Sequence, residues 1–143
     1  MQEYNELVIL VAEDDDGHAE LINHGLRNSG ICNKIIRFSD GEELWLFLTQ
    51  ACERQVRDPN KNYLLLLDIN MPKIDGIEVL KRMKDNDDLK KIPVIMLTTT
   101  DDPREVDYCY KLGCNVYVTK PVDFLEFTEK LNRLGLFIQI VSI

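Results

Sequence analysis

Four apolar runs end in polar residues whose types suit the handling of an anion. "LVILVA" (7–12) leads into Glu13, Asp14, Asp15 and Asp16, and "LLLLDINMP" (64–72) carries four leucines into Asp68, with Asn70 two places on. "IPVIMLTT" ends in Thr98 and Thr99 ahead of Thr100, and "NVYVTK" ends in Lys120 before Pro121. An unpaired buried charge is costly, so an aspartate at the mouth of the greasiest segment needs a reason. If these four ends converge, three carboxylates would repel and raise one another's pKa. A divalent cation would relieve that repulsion. Carboxylate oxygens with a backbone carbonyl suit a hard ion, and a site that keeps several waters suits Mg²⁺. Lys120 adds a point charge and Thr98 a hydroxyl donor, and the anion that best matches Mg²⁺ and lysine is a phosphoryl group. Asp68 is then the candidate nucleophile, because carboxylates form acyl phosphates in covalent catalysis. The apolar strand behind it would limit competing water, while Mg²⁺ and Lys120 would neutralise developing charge.

The elements that must position these groups alternate along the chain. Strands are expected at 7–12, 34–38, 63–69, 92–99 and 115–120, each a short apolar or β-branched run. Helices are expected over 16–29, from Ser39 or Asp40 as N-cap, over 76–86, over 102–113 and over 122–134. Pro103 fits a helical first turn and Gly113 a C-terminal stop. The polar segment "QVRDPNKN" (55–62) reads as a loop. Near-continuous apolar strands separated by helices predict a (βα)5 doubly wound parallel sheet covered on both faces. In such sheets, sites form at the carboxyl ends of the strands.

Composition bounds the function classes. The chain has 143 residues, 45% hydrophobic and 29% charged, with a net charge of −8. That length suits one domain with a real core. The acidic balance argues against a direct nucleic acid partner and favours cations and basic protein patches. Cys32, Cys52, Cys109 and Cys114 have no C-x-x-C spacing and only His18 and His24 accompany them, which argues against structural zinc. The acid run does not fit an EF-hand, since Ala12 and Asn23 stand at its first and twelfth loop positions. The two histidines read as plain surface or interface residues of the first helix. There is no signal peptide or membrane-length apolar stretch, so a reducing, cytoplasmic setting is expected.

At "AEDD", "LLLLDINMPKIDG", "PVIMLTTT" and "YVTKP" the chain resembles a two-component response regulator receiver domain, over about residues 6 to 133. The resemblance implies the flavodoxin-like strand order 2-1-3-4-5. It implies that Asp68 accepts a phosphoryl group from a histidine kinase. It also implies that Asp14, Asp68 and the Asn70 carbonyl ligate Mg²⁺, with Glu13 acting mostly through water. Lys120 would pair with the phosphate, Thr98 would move to meet it, and Tyr117 would change rotamer. A cis bond before Pro121 is a further implication. Read alone, Tyr117 is equally well a half-buried strand aromatic, and one of Asp15 and Asp16 is an N-cap. The longer 55–62 loop and the apolar tail "GLFIQIVSI" are similar to the small receivers that partner bacteriophytochrome-type kinases. The expected product is a single-domain regulator that signals through protein–protein contact, without a DNA-binding output.

Two other functions use part of the same pattern. A haloacid-dehalogenase-type phosphatase also has a strand-end aspartate nucleophile, but wants a second acid where this chain has Asn70. A pseudo-receiver scaffold would not need the complete set of Asp14, Asp68, Thr98 and Lys120. The tail adds one more expectation, for a receiver over 1–133 with an extension at 134–143. Phe127, Leu131, Leu134, Ile138 and Val141 fall at four- and three-residue spacings, with Leu136, Phe137, Ile140 and Ile143 around them. The second half of the last helix is expected to overhang, or to turn extended near its end, and to join a homodimer. Folding back on its own domain is the alternative.

Overall fold

The computed structural model describes residues 7–141, in which five strands and five helices alternate. β1 (Leu7–Ala12), β2 (Ile35–Phe38), β3 (Asn62–Leu67), β4 (Val94–Thr98) and β5 (Val116–Thr119) form one sheet in the order β2-β1-β3-β4-β5. Every neighbouring pair is parallel. The helices are α1 (Asp16–Asn28), α2 (Gly41–Leu48), α3 (Gly76–Lys84), α4 (Pro103–Leu112) and α5 (Phe124–Val141). A 3-10 turn at Leu89–Lys91, which the sequence pattern does not announce, precedes β4.

Alternation along the central strands builds two cores, one on each face. Leu65 and Leu67 face a core shared with Leu44, Phe47, Val79, Leu80 and Met83 of α2 and α3. Leu64 and Leu66 face a second core formed with Ile22 and Leu26 of α1 and with Phe127, Leu131, Leu134 and Ile138 of α5. A side chain on each face is what a period of two requires. Burying a leucine fully stabilises by roughly 1.5–3 kcal/mol. The four leucines therefore lock β3 between the layers and fix where its last peptide points.

Each helix starts on an aspartate. The carboxylates of Asp15, Asp40, Asp75 and Asp102 accept from backbone N–H groups in the first turns of α1, α2, α3 and α4. Asp123 does the same at Leu125 and Glu126 of α5. Such caps are worth about 1 kcal/mol each. Because every helix follows a strand, all five caps lie at the carboxyl edge of the sheet, and they account for part of the chain's acidity.

The tail corrects one expectation. α5 is helical through Val141 and crosses residue 134 without a break. Its stripe of Phe127, Leu131, Leu134 and Ile138 is buried in the chain's own second core, so it does not overhang. Gly135 makes this possible, because a Cβ there would lie 1.9 Å from Ser29 Oγ at the end of α1. Gln139 Nε2 then donates to the Ser29 carbonyl at 2.8 Å. Leu136, Phe137 and Ile140 remain exposed on the other side. Ile143 and the side chain of Val141, also part of that expectation, lie outside the described residues. No helix among the described residues is long and apolar enough to cross a membrane.

Candidate functional site

The sheet ladder carries its order one residue beyond three strands, and that places the site. Asp68 N donates to the Ala12 carbonyl at 3.0 Å, and Lys120 N to the Thr98 carbonyl at 2.7 Å. Glu13 N donates to the Phe38 carbonyl at 3.0 Å. Glu13, Asp68 and Lys120 thus stand side by side at the carboxyl edge, with Thr98 closing β4. The start of α3 presses on this edge: a Cβ on Gly76 would lie 2.1 Å from the Asp68 carbonyl oxygen. Only glycine lets the helix approach the Asp68 peptide that closely.

These four residues are the buried polar side chains of the described structure. Lys120 Nζ bonds a Glu13 carboxylate oxygen and lies 3.1 Å from Asp68 Oδ2. The other Asp68 oxygen accepts from the Ile69 backbone N–H at 2.7 Å. Burial pushes the Glu13 carboxyl up to about 7 from an ordinary 4.5, against the opposing pull of Lys120 and with a further push from the Asp68 charge. One lysine therefore does not compensate two buried carboxylates. Thr98 Oγ1 is buried without a hydrogen-bond partner. A buried unsatisfied hydroxyl costs about 1–3 kcal/mol, and its presence beside Asp68 and Lys120 leaves a donor open for a group bound there.

The run of acids after β1 divides by task. Glu13, Asp14 and Asp68 offer carboxylate oxygens within 4.8 Å of one another. Asp15 is spent on the cap, its Oδ1 accepting from His18 N at 2.8 Å. Asp16 pairs with Arg37 at 2.7 Å. The same guanidinium donates to the Glu13 carbonyl at 2.9 and 3.0 Å and to the Asp14 carbonyl at 3.2 Å. Arg37 so fixes the turn that presents Asp14. Three clustered carboxylates with excess negative charge fit a hard divalent cation. Asn70 is exposed, two residues past Asp68 in the turn that leads to α3.

Tyr117 is half-buried against the first core, and its hydroxyl donates to the Thr100 carbonyl at 2.7 Å. Its backbone N–H donates to the Tyr110 hydroxyl at 3.0 Å. Burial raises the phenol above its ordinary range. The residue therefore ties β5 to the segment that follows Thr98. Thr99 and Thr100 stand nearer solvent and do not join the buried group. Among the described residues no peptide bond is cis, so the bond before Pro121 is trans and Lys120 is held by its side-chain partners instead.

Sequence reasoning missed one residue at the site. His18 is no plain surface residue: its Nδ1 lies 3.2 Å from Lys120 Nζ and 4.0 Å from Glu13 Oε1. Its ring packs edge-on against Phe127 at 5.9 Å. The available signal was position, in the first turn of a helix that opens directly after the site acids.

Comparison with known proteins gives a consistent set of relatives. The response regulator receiver domain family matches residues 9–132. Response regulator Rcp1 of Synechocystis sp. is 42% identical over 130 residues, which span 91% of this chain and 87% of that protein. The crystal structure of the Mn²⁺-bound form of Rcp1 superposes with a TM-score of 0.82 at 36% identity, covering 91% of this chain and 92% of Rcp1. The phosphorylated cyanobacterial phytochrome response regulator RcpA superposes with a TM-score of 0.79 at 32% identity, covering 92% of each chain.

Proposed function

The chain belongs to the response regulator receiver domain family, the phosphoacceptors that partner histidine kinases in two-component signalling, and on that premise we propose that Asp68 is its phosphoacceptor. The observation that carries this assignment is the buried frame of Asp68, Lys120, Glu13 and the unpartnered hydroxyl of Thr98. Asp68 Oδ attacks the phosphorus of a phosphohistidine. The new P–O bond forms as the P–N bond breaks, and the imidazole leaves with the electron pair. Lys120, already 3.1 Å from Asp68, offers ammonium hydrogens to the phosphoryl oxygens. Thr98 supplies the hydroxyl that has no other partner, and its movement would be followed by Tyr117 through the Thr100 carbonyl.

Glu13, Asp14, Asp68 and the Asn70 carbonyl would hold the cation, Glu13 through water, a reading supported by the clustering of the three carboxylates. The identity of the ion is Mg²⁺ in this reading, because carboxylates around a phosphoryl site suit a small hard ion. When bound, it supplies charge neutralisation for the transferring group. The chain is not an enzyme with turnover on external substrates, since Asn70 stands where a phosphatase would need its second acid. It acts in the cytoplasm on protein partners and not directly on nucleic acid.

The likeness to the phytochrome response regulator RcpA supports a phytochrome-type kinase as the phosphoryl source. Residues 1–133 would be the receiver proper, and 134–143 an apolar extension belonging to the same domain or to a dimer interface. A homodimer would use the exposed residues Leu136, Phe137 and Ile140, not the buried stripe. Light scattering on the full chain and on Leu136→Lys with Ile140→Lys tests that part, and a monomer at high concentration with a phosphoryl mimic would sink it. The phosphoacceptor assignment is tested by intact mass after incubation with Mg²⁺ and a small acyl phosphate or a phosphorylated histidine kinase. One added phosphate is expected, and none in Asp68→Asn.

A further inference from the structure

A lysine ammonium has three hydrogens to donate. Lys120 Nζ meets three acceptors, at Glu13, at Asp68 Oδ2 and at His18 Nδ1. Two of these belong to the carboxylate cluster suited to a cation. The third is an imidazole from another element, and it is the partner of Lys120 that lies outside the cluster. An ammonium only donates, so Nδ1 serves Lys120 as an acceptor in this contact. The ring has its own support. Its edge-on packing against Phe127 ties it to the buried stripe of α5. Its backbone N–H is held by the Asp15 cap. The His18 side chain is 39% exposed, whereas that of Lys120 is 2% exposed.

We propose that His18 is a positioning residue for phosphoryl transfer, holding the Lys120 ammonium in register with Asp68 through Nδ1. The proposal rests on the assignment of Asp68 as the phosphoacceptor. Glu13 and Asp68 each have other tasks during transfer, as carboxylates for a cation and as the nucleophile itself. An acceptor free of those tasks keeps Nζ from swinging toward water while its other hydrogens turn to the phosphoryl oxygens. Positioning of this kind contributes through orientation, where small displacements of a charged group are costly to rate. The contact of His18 within this group is with the Lys120 ammonium, so its effect passes through Lys120.

The test measures phosphorylation of the full chain by acetyl phosphate and Mg²⁺, following the phosphorylated fraction by intact mass across donor concentrations. Four variants are compared with the wild type: His18→Ala, His18→Asn, His18→Phe and Asp68→Asn. Asparagine offers an oxygen near the place of Nδ1, whereas phenylalanine keeps the bulk against Phe127 without an acceptor. The account expects the maximal rate to fall about tenfold in His18→Ala and His18→Phe, equivalent to about 1.4 kcal/mol. The donor concentration at half-maximal rate should change little, and His18→Asn should recover to within about threefold of wild type. Urea unfolding of all variants shows whether each is folded during the assay. Wild-type rates in folded His18→Phe would overturn the proposal, as would equal losses in His18→Asn and His18→Phe. Those outcomes leave the phosphoacceptor reading intact, provided Asp68→Asn takes no label. Undiminished label in Asp68→Asn would instead overturn that reading, and the role of His18 with it.

Discussion

Glu13, Asp68, Thr98 and Lys120 at the carboxyl edge of the sheet and the side chains of the seam between α1 and α5 are both buried, by opposite means. The seam is closed by apolar packing and by glycine at the point of closest approach, where Gly135 meets Ser29. Its polar groups are satisfied, as in the bond from Gln139 to the Ser29 carbonyl. The edge holds two buried carboxylates against one ammonium, with a hydroxyl left unpartnered. Burying charge costs free energy that pairing only partly returns. The contrast teaches where the molecule keeps its stability and where it spends some. Dense packing behind the site lets a strained set of charges persist at the front of it.

The largest effect should come from breaking the seam. Gly135→Leu drives a side chain into Ser29 and should cost about 3 kcal/mol in urea unfolding, within the range for overpacked cores. Labelling at Asp68 should survive wherever the protein is still folded. Next is the division among the site acids. Asp14→Ala should weaken Mg²⁺ binding by roughly thirtyfold, about 2 kcal/mol, and Asp16→Ala by less than about threefold, as read by calorimetry. Equal losses would refute the ranking of Asp14 above its neighbours.

A smaller effect concerns Glu13. Its folded-state pKa of about 7 lies above the ordinary 4.5, so the folded chain binds the proton more tightly than the unfolded chain. The stability this gives is complete below about pH 4.5 and is lost as pH rises through 7. In chelator-treated protein, Glu13→Gln should therefore melt progressively higher than wild type as pH goes from 5 to 8, by roughly 5 °C. A gap that closes with rising pH would reverse the sign and contradict the account. The smallest effect is at Thr98. Thr98→Val removes the unpartnered hydroxyl and should be neutral or stabilising by about 1 kcal/mol. Its phosphorylated form should nonetheless lose stability relative to wild type, measured as a smaller melting shift on labelling.

The site was legible in sequence wherever a residue sat at the end of an apolar run. Asp68, Thr98 and Lys120 could be placed because strand ends in a parallel sheet share one edge. The division of the acids could be read only in part. That one of Asp15 and Asp16 would cap α1 follows from helix rules, but which one depends on the φ and ψ at the turn. The pairing of Asp16 with Arg37 joins residues 21 apart in sequence, and no local pattern announces it. His18 was invisible for the same reason, since its partners Lys120 and Phe127 lie more than a hundred residues away along the chain. The tail shows a different limit. Its stripe was legible as a helix face, but periodicity does not say what covers that face. Close approach at Gly25 and Gly135, facing Leu131 and Ser29, decides that it is α1.

The central claim is that Asp68 carries the phosphoryl group, and chemical trapping of the acyl phosphate tests it most directly. Reduction of the labelled chain with borohydride converts a phosphorylated aspartate to homoserine, and peptide sequencing by mass spectrometry then reads its position. The account predicts homoserine at residue 68, dependent on Mg²⁺ and absent in Lys120→Ala at early times. Homoserine at Asp14, Asp15 or Asp16, or none in a chain whose mass shows a phosphate, would contradict it.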